Sequence, residues 1–292
     1  MDFFEARLLL SLSVIGAGRV GKTLARCLHK SALVTIADVV TRSDASAHAA
    51  VAFIGAGVPH SDSSQLASAK IFLIAVPDDK ITRCCEQLVA SKQSGPGTIV
   101  FHCSGALSSS ALVAATEAGA AVASIHPVRS FADPLRVVDN FSGTFFGVEG
   151  DVSALAVLSS LFEALGALFV PVQAASKTLY HAAAVFASNY VVSMLAVAQE
   201  AYVAAGIPPE MALKMLTPLT LESIENVRRL GPVAALTGPI SRGDENTVMR
   251  QQRAVAMWNS DCGALYAQLA DATRRLASRG VSEATDLPPT SS

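Results

Sequence analysis

The sequence predicts an α/β chain: a doubly wound, mostly parallel sheet followed by an all-helical second domain. Three observations predict it. Up to residue 173, short apolar runs alternate with helix-length segments, the pattern of β–α–β units with right-handed crossovers. The first apolar run ends in three spaced glycines that open a helix. From Ala174 onward no convincing strand follows, so residues 174–280 are expected to form the helical domain and 281–292 a flexible tail.

The first strand is Leu8 to Ile15, and Gly16-Ala17-Gly18-Arg19-Val20-Gly21 leads from it into a helix over Val20 to His29. In this setting Gly16 permits the tight turn, Gly18 lets the backbone approach a phosphate, and Gly21 lets helix and strand pack closely. An anion there meets free N–H groups at the positive end of the helix. The spacing predicts a Rossmann-type domain over residues 1–173 that holds a dinucleotide through Gly16, Gly18, Arg19, Val20 and Gly21.

Leu33 to Val40 is the second strand, and its end selects the nucleotide. An acid there accepts hydrogen bonds from the free 2′-hydroxyl of NAD, whereas an arginine accommodates the 2′-phosphate of NADP. Both are present: Asp38, 22 residues after Gly16, and Thr41-Arg42-Ser43. Val39 and Val40 continue the β-branched run, which puts Asp38 inside the strand and Thr41, Arg42 and Ser43 at its tip. NADP is therefore favoured over NAD.

A helix over Ala45 to Ile54 ends at Gly55 and Gly57, and Ser61 to Ala69 is a polar connection. Lys70 to Val76 suits a strand buried on both faces. It stops at Pro77-Asp78-Asp79, where an aspartate caps a helix to Ala90 and Val76 and Pro77 lie along the cofactor. Thr98 to Phe101 is a strand ending at His102-Cys103-Ser104-Gly105. A helix over Ser108 to Gly119 and a strand over Ala121 to Ile125 follow, ending at His126-Pro127 with Arg129 beyond. Thr144 to Val148 and Ala167 to Val172 are strands flanking a helix over Val152 to Gly166. Ligands in such sheets bind at the carboxyl ends of the strands, which gathers Ser104, His102, His126 and Arg129 as substrate surroundings.

Composition fits a globular chain with much buried surface: 292 residues, 51% apolar and 16% charged. A net charge of −2 with scattered basic residues gives no footprint for a nucleic-acid partner. The five cysteines form no C-x-x-C and no metal-ligand spacing, as expected of reduced thiols in a cytoplasmic protein without a metal.

In the second domain, Ala174 to Ala205 reads as one long helix closed by Gly206. Lys177, His181 and Ser188 fall within about 40° of one another on its surface, with Asn189 rotated away by about 100°. A cation, an imidazole and a hydroxyl on one face of an apolar helix are costly to bury unless they meet partners or a ligand. Thr178 to Gln199 is uncharged over 22 residues, long enough to span a bilayer, but its polar side chains favour a helix buried on most sides, a subunit interface included. The next helix runs from Pro209 toward Arg229, with Pro218 expected to kink or divide it. Arg242 lies in the loop Thr237 to Gly243, to close on the cleft or pair with Asp244, which caps a helix to Trp258. Asp261 to Arg279 is the last helix.

These motifs, and above all His102-Cys103-Ser104-Gly105-Ala106-Leu107, Leu179-Tyr180-His181-Ala182-Ala183 and Thr237-Gly238-Pro239-Ile240-Ser241-Arg242-Gly243-Asp244, carry a family likeness. Over nearly its whole length the chain resembles a bacterial family of NADP-dependent oxidoreductases with a Rossmann-like N-terminal domain and a helical C-terminal domain of unknown function. The wider relatives this implies are pyrroline-5-carboxylate reductase, ketopantoate reductase, and the 6-phosphogluconate and 3-hydroxyacid dehydrogenases. In the last groups a lysine followed four residues later by an asparagine serves catalysis. Lys177 matches the lysine, but His181 stands where that asparagine would be. The resemblance also implies a homodimer packed through a 6-phosphogluconate-dehydrogenase-like helical domain.

The expectation is an NADPH-dependent reductase of a small polar carbonyl or imine, with no membrane partner. Lys177 or His181 supplies the proton, and Ser104, His126, Ser188, Asn189 and Arg242 surround the substrate. The competing expectation is a nucleotide-binding sensor or scaffold without turnover.

Overall fold

A computed structural model describes residues 10–285, with side chains to 279. Leu8 and Leu9 of the expected first strand, and residues 286–292 of the expected tail, lie outside the described residues. In chain order the elements are β1 (Leu10–Ile15), α1 (Arg19–Lys30), β2 (Val34–Val40), α2 (Asp44–Ile54), β3 (Val58–His60), β4 (Ile71–Ile74), α3 (Asp78–Ala90), β5 (Ile99–His102), α4 (Val113–Glu117), β6 (Ala121–Pro127), α5 (Pro134–Asp139), β7 (Phe145–Gly150), α6 (Val152–Glu163) and β8 (Leu168–Pro171). The helices α7 (Lys177–Ala187), α8 (Asn189–Ala204), α9 (Pro209–Ala234), α10 (Glu245–Trp258) and α11 (Ser260–Thr285) complete the described chain.

The strands form one sheet in the order β3-β2-β1-β4-β5-β6-β7-β8. Neighbours are parallel throughout except β6 and β7, so the last two strands run against the rest. The 3-2-1-4-5-6 portion is the doubly wound order, and its direction reverses between β1 and β4, where such sheets leave a crevice for ligand.

Period-two alternation divides the apolar side chains between two layers. Leu12, Val14, Leu73, Phe101 and Ile125 pack with the buried faces of α1, α2 and α6. Ile15, Phe72, Ile74, Val100 and Val122 pack with Ile81, Cys85 and Leu88 of α3 and with Leu112 and Ala115. All four residues of β4 are buried, as a strand covered on both sides requires. Helix α1 shows why it sits where it does: Gly21, Leu24, Ala25 and Leu28 recur at helical spacing and are buried together.

Several elements differ from the sequence reading. β3 is a short strand entered from Gly57, whose φ is +103°. The helix expected over Ser108 to Gly119 is a 3₁₀ turn, Ser109–Leu112, followed by the five residues of α4. α5 was not expected; Asp133 caps it, accepting from the amides of Leu135 and Arg136. The long helix is broken at Ser188, with φ −130° and ψ −68°, which separates α7 from α8. Pro218 leaves the dihedrals of α9 helical, and the interruption comes at Gly231 (φ 76°, ψ 164°), the residue forced out of the α region by Pro232. The last helix continues to Thr285, into the expected tail.

The chain divides at Ser188 into two compact units. The second is all-helical: α8 packs on α9, α9 on α11, and α10 on α11. It buries few side chains, among them Ala212, Leu216, Val248 and Ala270, and leaves Leu219, Leu221, Ile224 and Leu230 of α9 exposed. Although the 174–204 stretch has the length and composition to cross a membrane, it is split at Ser188 and carries the buried Lys177. Contrary to the expected burial, α8 has no buried residue in the single chain.

Candidate active site

β1 and β2 end side by side, and the Gly16 amide donates to Val40 O at 2.8 Å. Gly16 has φ +87°, and a Cβ there would lie 2.6 Å from both Ala75 O and Val76 Cγ1. A Cβ at Gly21 would lie 2.4 Å from Gly16 O and 2.8 Å from Ala75 Cβ. Only glycine fits at either position. Gly18 precedes α1, offers no side-chain cap, and faces open space. The first turn of α1, with Arg19 exposed and Val20 half-buried, therefore presents its N–H groups to a passing anion at the reversal between β1 and β4. These residues fit a dinucleotide pyrophosphate.

Asp38 is buried inside β2 and fully engaged. Its carboxylate accepts from the Ala67 amide at 2.9 Å and from the Ser13 hydroxyl at 3.4 Å, and meets His60 Nε2 at 2.9 Å. Thr41, Arg42 and Ser43 stand at the tip instead. Thr41 Oγ1 lies 2.6 Å from Ser46 Oγ, Ser43 Oγ accepts from the Ser46 amide at 3.3 Å, and Arg42 is exposed. A guanidinium beside two hydroxyls has the chemistry of a phosphate receptor.

The second constellation lies on the opposite half of the sheet. His102, Ser124 and Glu149 are register neighbours across β5, β6 and β7, and His126 is paired with Gly147 one step along. His102 is consumed by its own loop: Nε2 donates to Ser108 O at 3.0 Å and Nδ1 accepts from the Ser104 amide at 3.1 Å. Those bonds fix its tautomer, and burial holds its pKa below the usual imidazole value. The Ser104 hydroxyl donates to Asp78 Oδ2 at 2.8 Å and accepts from the Ala106 and Leu107 amides. Pro77, not an aspartate, occupies the cap position of α3, which leaves Asp78 to bind Ser104. Glu149 accepts from the amide and hydroxyl of Ser109, tying β7 to the 3₁₀ turn.

α7 lays three side chains on this polar row. Lys177 is 1% exposed, and its Nζ donates to Ser104 O at 2.9 Å and to Ser124 Oγ. Burial pushes its pKa down; the carboxylates of Glu149 and Asp78 oppose this without touching it. Tyr180 is seated over Gly147, where a Cβ would lie 2.2 Å from the phenol oxygen, and that oxygen is 2.9 Å from His126 Nδ1. His181 sits against Gly105, where a Cβ would lie 2.2 Å from Nδ1. The His126 ring meets the Tyr180 and His181 rings edge-on, at centroid distances of 5.5 and 5.3 Å. Burial, then His181, then Lys177 lower the His126 pKa to about 4, against a weaker opposite pull from Asp78, so the imidazole is neutral at pH 7. Burial raises the Tyr180 pKa. Cys103, beside this cluster, is held as a thiol by burial, its pKa pushed up to about 12.

Of the residues picked from sequence, Ser104, His126, Lys177 and His181 come together. Arg129 does not join them; it donates to Thr144 Oγ1 at 3.0 Å and to Asn140 O. Ser188 closes α7 at the break, Asn189 opens α8, and Arg242 lies in the second unit before the Asp244 cap of α10. Sequence reasoning missed Tyr180, Ser124, Asp78 and Glu149. Ser124 and His126 at alternate positions of an apolar strand, opposite glycine and glutamate at alternate positions of the next, are the signal that was present.

Fold and site thus define a two-domain chain with a dinucleotide-type glycine turn and a polar cluster at its strand ends. In sequence comparison residues 2–127 match a Rossmann-like domain, and residues 144–273, from β7 of the sheet into α11, match a domain of unknown function, DUF2520. No curated protein matches the sequence. BF3122 from Bacteroides fragilis, assigned as an NADP oxidoreductase, superposes with a TM-score of 0.77 at 23% identity, over 91% of this chain and 98% of that one. TM1727 from Thermotoga maritima gives 0.70 at 25% identity, over 92% and 99%. An imine reductase from Myxococcus stipitatus in complex with NADP⁺ gives 0.62 at 18% identity, over 94% of each. These likenesses establish a shared fold.

Proposed function

We propose that the chain is a cytoplasmic NADPH-dependent oxidoreductase that reduces a small polar carbonyl or imine. The observation that carries this reading is the glycine turn at the β1–β4 reversal, where Gly16 and Gly21 admit no side chain and the first turn of α1 has no side-chain cap. Asp38, held by Ser13, His60 and Ala67, is not free for a ribose hydroxyl, whereas Arg42 at the tip is exposed, which favours NADP over NAD. The likeness to structures named as NADP oxidoreductase and NADP-bound imine reductase supports the same reading.

When bound, the cofactor supplies the hydride. The chain's own residues do the rest. The half-buried His126 of β6 and Tyr180 and His181 of α7 offer the reduced oxygen or nitrogen a proton and hydrogen bonds, beside a 104 loop pinned by Lys177 and Asp78. The helical unit, whose exposed apolar residues outnumber its buried ones among the described residues, dimerises. The test is a screen of small keto acids and cyclic imines for oxidation of NADPH by the full chain. Consumption of one class supports the reading. Tight NADPH binding with no compound consumed favours a nucleotide sensor.

A further inference from the structure

We propose that Tyr180 is the residue that hands the proton to the substrate, that His126 resupplies it, and that Lys177 is a positioning residue beneath them. This rests on the reductive reading and assigns the acid within it. Lys177 is sealed, and reaching a substrate would break its bonds to Ser104 O and Ser124 Oγ. His181 has a buried Nδ1 with no hydrogen-bond partner among the described residues, so nothing there fixes its tautomer or replaces a donated proton. Of the three side chains that α7 brings to the cluster, Tyr180 has both access and a partner: it is half-buried, its hydroxyl lies 2.9 Å from His126 Nδ1, and the Gly147 backbone bonds to the same oxygen. A transferring group backed by a second group that orients and reloads it is the general arrangement of an activated pair.

His126 suits the second role because it stays neutral, with one protonated and one bare ring nitrogen. In the step, the C=O or C=N carbon accepts a hydride, and the π pair moves to the heteroatom, which takes the Tyr180 hydroxyl proton. The phenol oxygen takes the Nδ1 proton of His126, and Nε2 takes a proton from water. Tyrosine and imidazole both end neutral, and solvent exchange restores the starting tautomer. The sum is substrate, hydride and one solvent proton giving alcohol or amine. Gly105 and Gly147 are the seats that allow it, since a methyl at either would displace His181 or Tyr180.

The test uses the full chain with NADPH, pyruvate and 1-pyrroline-2-carboxylate as probes, and ¹⁵N-histidine spectra of the same protein. Tyr180→Phe keeps the ring over Gly147 and removes only the hydroxyl. It is expected to lower kcat by about 100-fold or more, to leave NADPH affinity within about twofold, and to shift the ring nitrogens of His126. His181→Gln is expected to cost less than about tenfold, and Lys177→Met, which unpins the 104 loop, to lower kcat by less than Tyr180→Phe does while raising the His126 titration midpoint. Unchanged kcat in Tyr180→Phe, or the large loss appearing in His181→Gln instead, overturns the assignment. If neither probe is consumed, the failure belongs to the reductive reading for those probes, and the spectra decide the pair. Ring nitrogens of His126 that ignore Tyr180→Phe overturn it; ring nitrogens that respond support it.

Discussion

Replacing Lys177 with methionine is expected to leave the fold standing while changing the charge behaviour of His126. The side chain is 1% exposed and has two acceptors, Ser104 O and Ser124 Oγ. Each bond from a charged donor contributes about 1.5–3 kcal/mol, and burying the ammonium costs several kcal/mol. The two nearly cancel, consistent with a pKa held down by burial. Methionine fills the volume of the lysine stem, and Ser104 O keeps the Ser124 hydroxyl at 3.3 Å. The net change is therefore within about 1.5 kcal/mol of zero. Lys177→Ala deletes the stem as well and costs about 2–4 kcal/mol through the cavity. Loss of the cation raises the His126 pKa from about 4, but burial, the larger cause, keeps it below its ordinary value. Urea unfolding of both variants and histidine titration by NMR measure these effects. Equal destabilisation by methionine and alanine, or an unmoved His126 midpoint, refutes the reasoning.

The remaining predictions concern packing, pH and assembly. Gly21→Ala drives a Cβ to 2.4 Å from Gly16 O, so it is expected to reduce NADPH binding by more than about tenfold, measured by fluorescence titration. Gly105→Ala meets His181 Nδ1 at 2.2 Å and His126 Nε2 at 2.9 Å, and is expected to abolish activity before it abolishes folding, checked by circular dichroism beside the NADPH assay. Because the folded pKa of His126 is depressed to about 4, its stabilising neutral form is complete above the unfolded value and is lost as pH falls toward 4. Unfolding free energy is thus expected to drop by about 1–3 kcal/mol between pH 7 and pH 4.5, and less in His126→Asn. Light scattering is expected to give twice the monomer mass, and a pair of charges introduced by Leu221→Glu and Ile224→Lys on exposed α9 positions to halve it.

How much of this was legible depended on how local the cause was. The glycine turn depends on residues adjacent in sequence, and the strand register that puts Thr41-Arg42-Ser43 at the tip follows from two further valines, so both were readable. The placement of Lys177 and His181 on one face of a helix followed from periodicity alone. Tyr180 was not readable, because its role depends on Gly147 opposite His126 in an antiparallel pair, and the reversal of β7 has no local signature. Asp78 was misread as a cap because Ser104, its partner, arrives from another strand end. The break at Ser188 was hidden because a long uncharged stretch of helical length says nothing about a single residue's dihedrals. Asp38 shows the same limit from the other side: its spacing suggested a ribose contact, while its three partners, Ser13, His60 and Ala67, come from separate segments.

In the proposed function the glycine turn holds NADPH and Arg42 reads its 2′-phosphate. The most direct measurement is the dissociation constants of NADPH and NADH for the full chain and for Arg42→Ala. The native chain is expected to prefer NADPH by about 10- to 100-fold, the worth of one or two charge-assisted bonds, and Arg42→Ala to erase most of that preference with little change for NADH. No binding of either nucleotide, or an equal loss for both in Arg42→Ala, contradicts it.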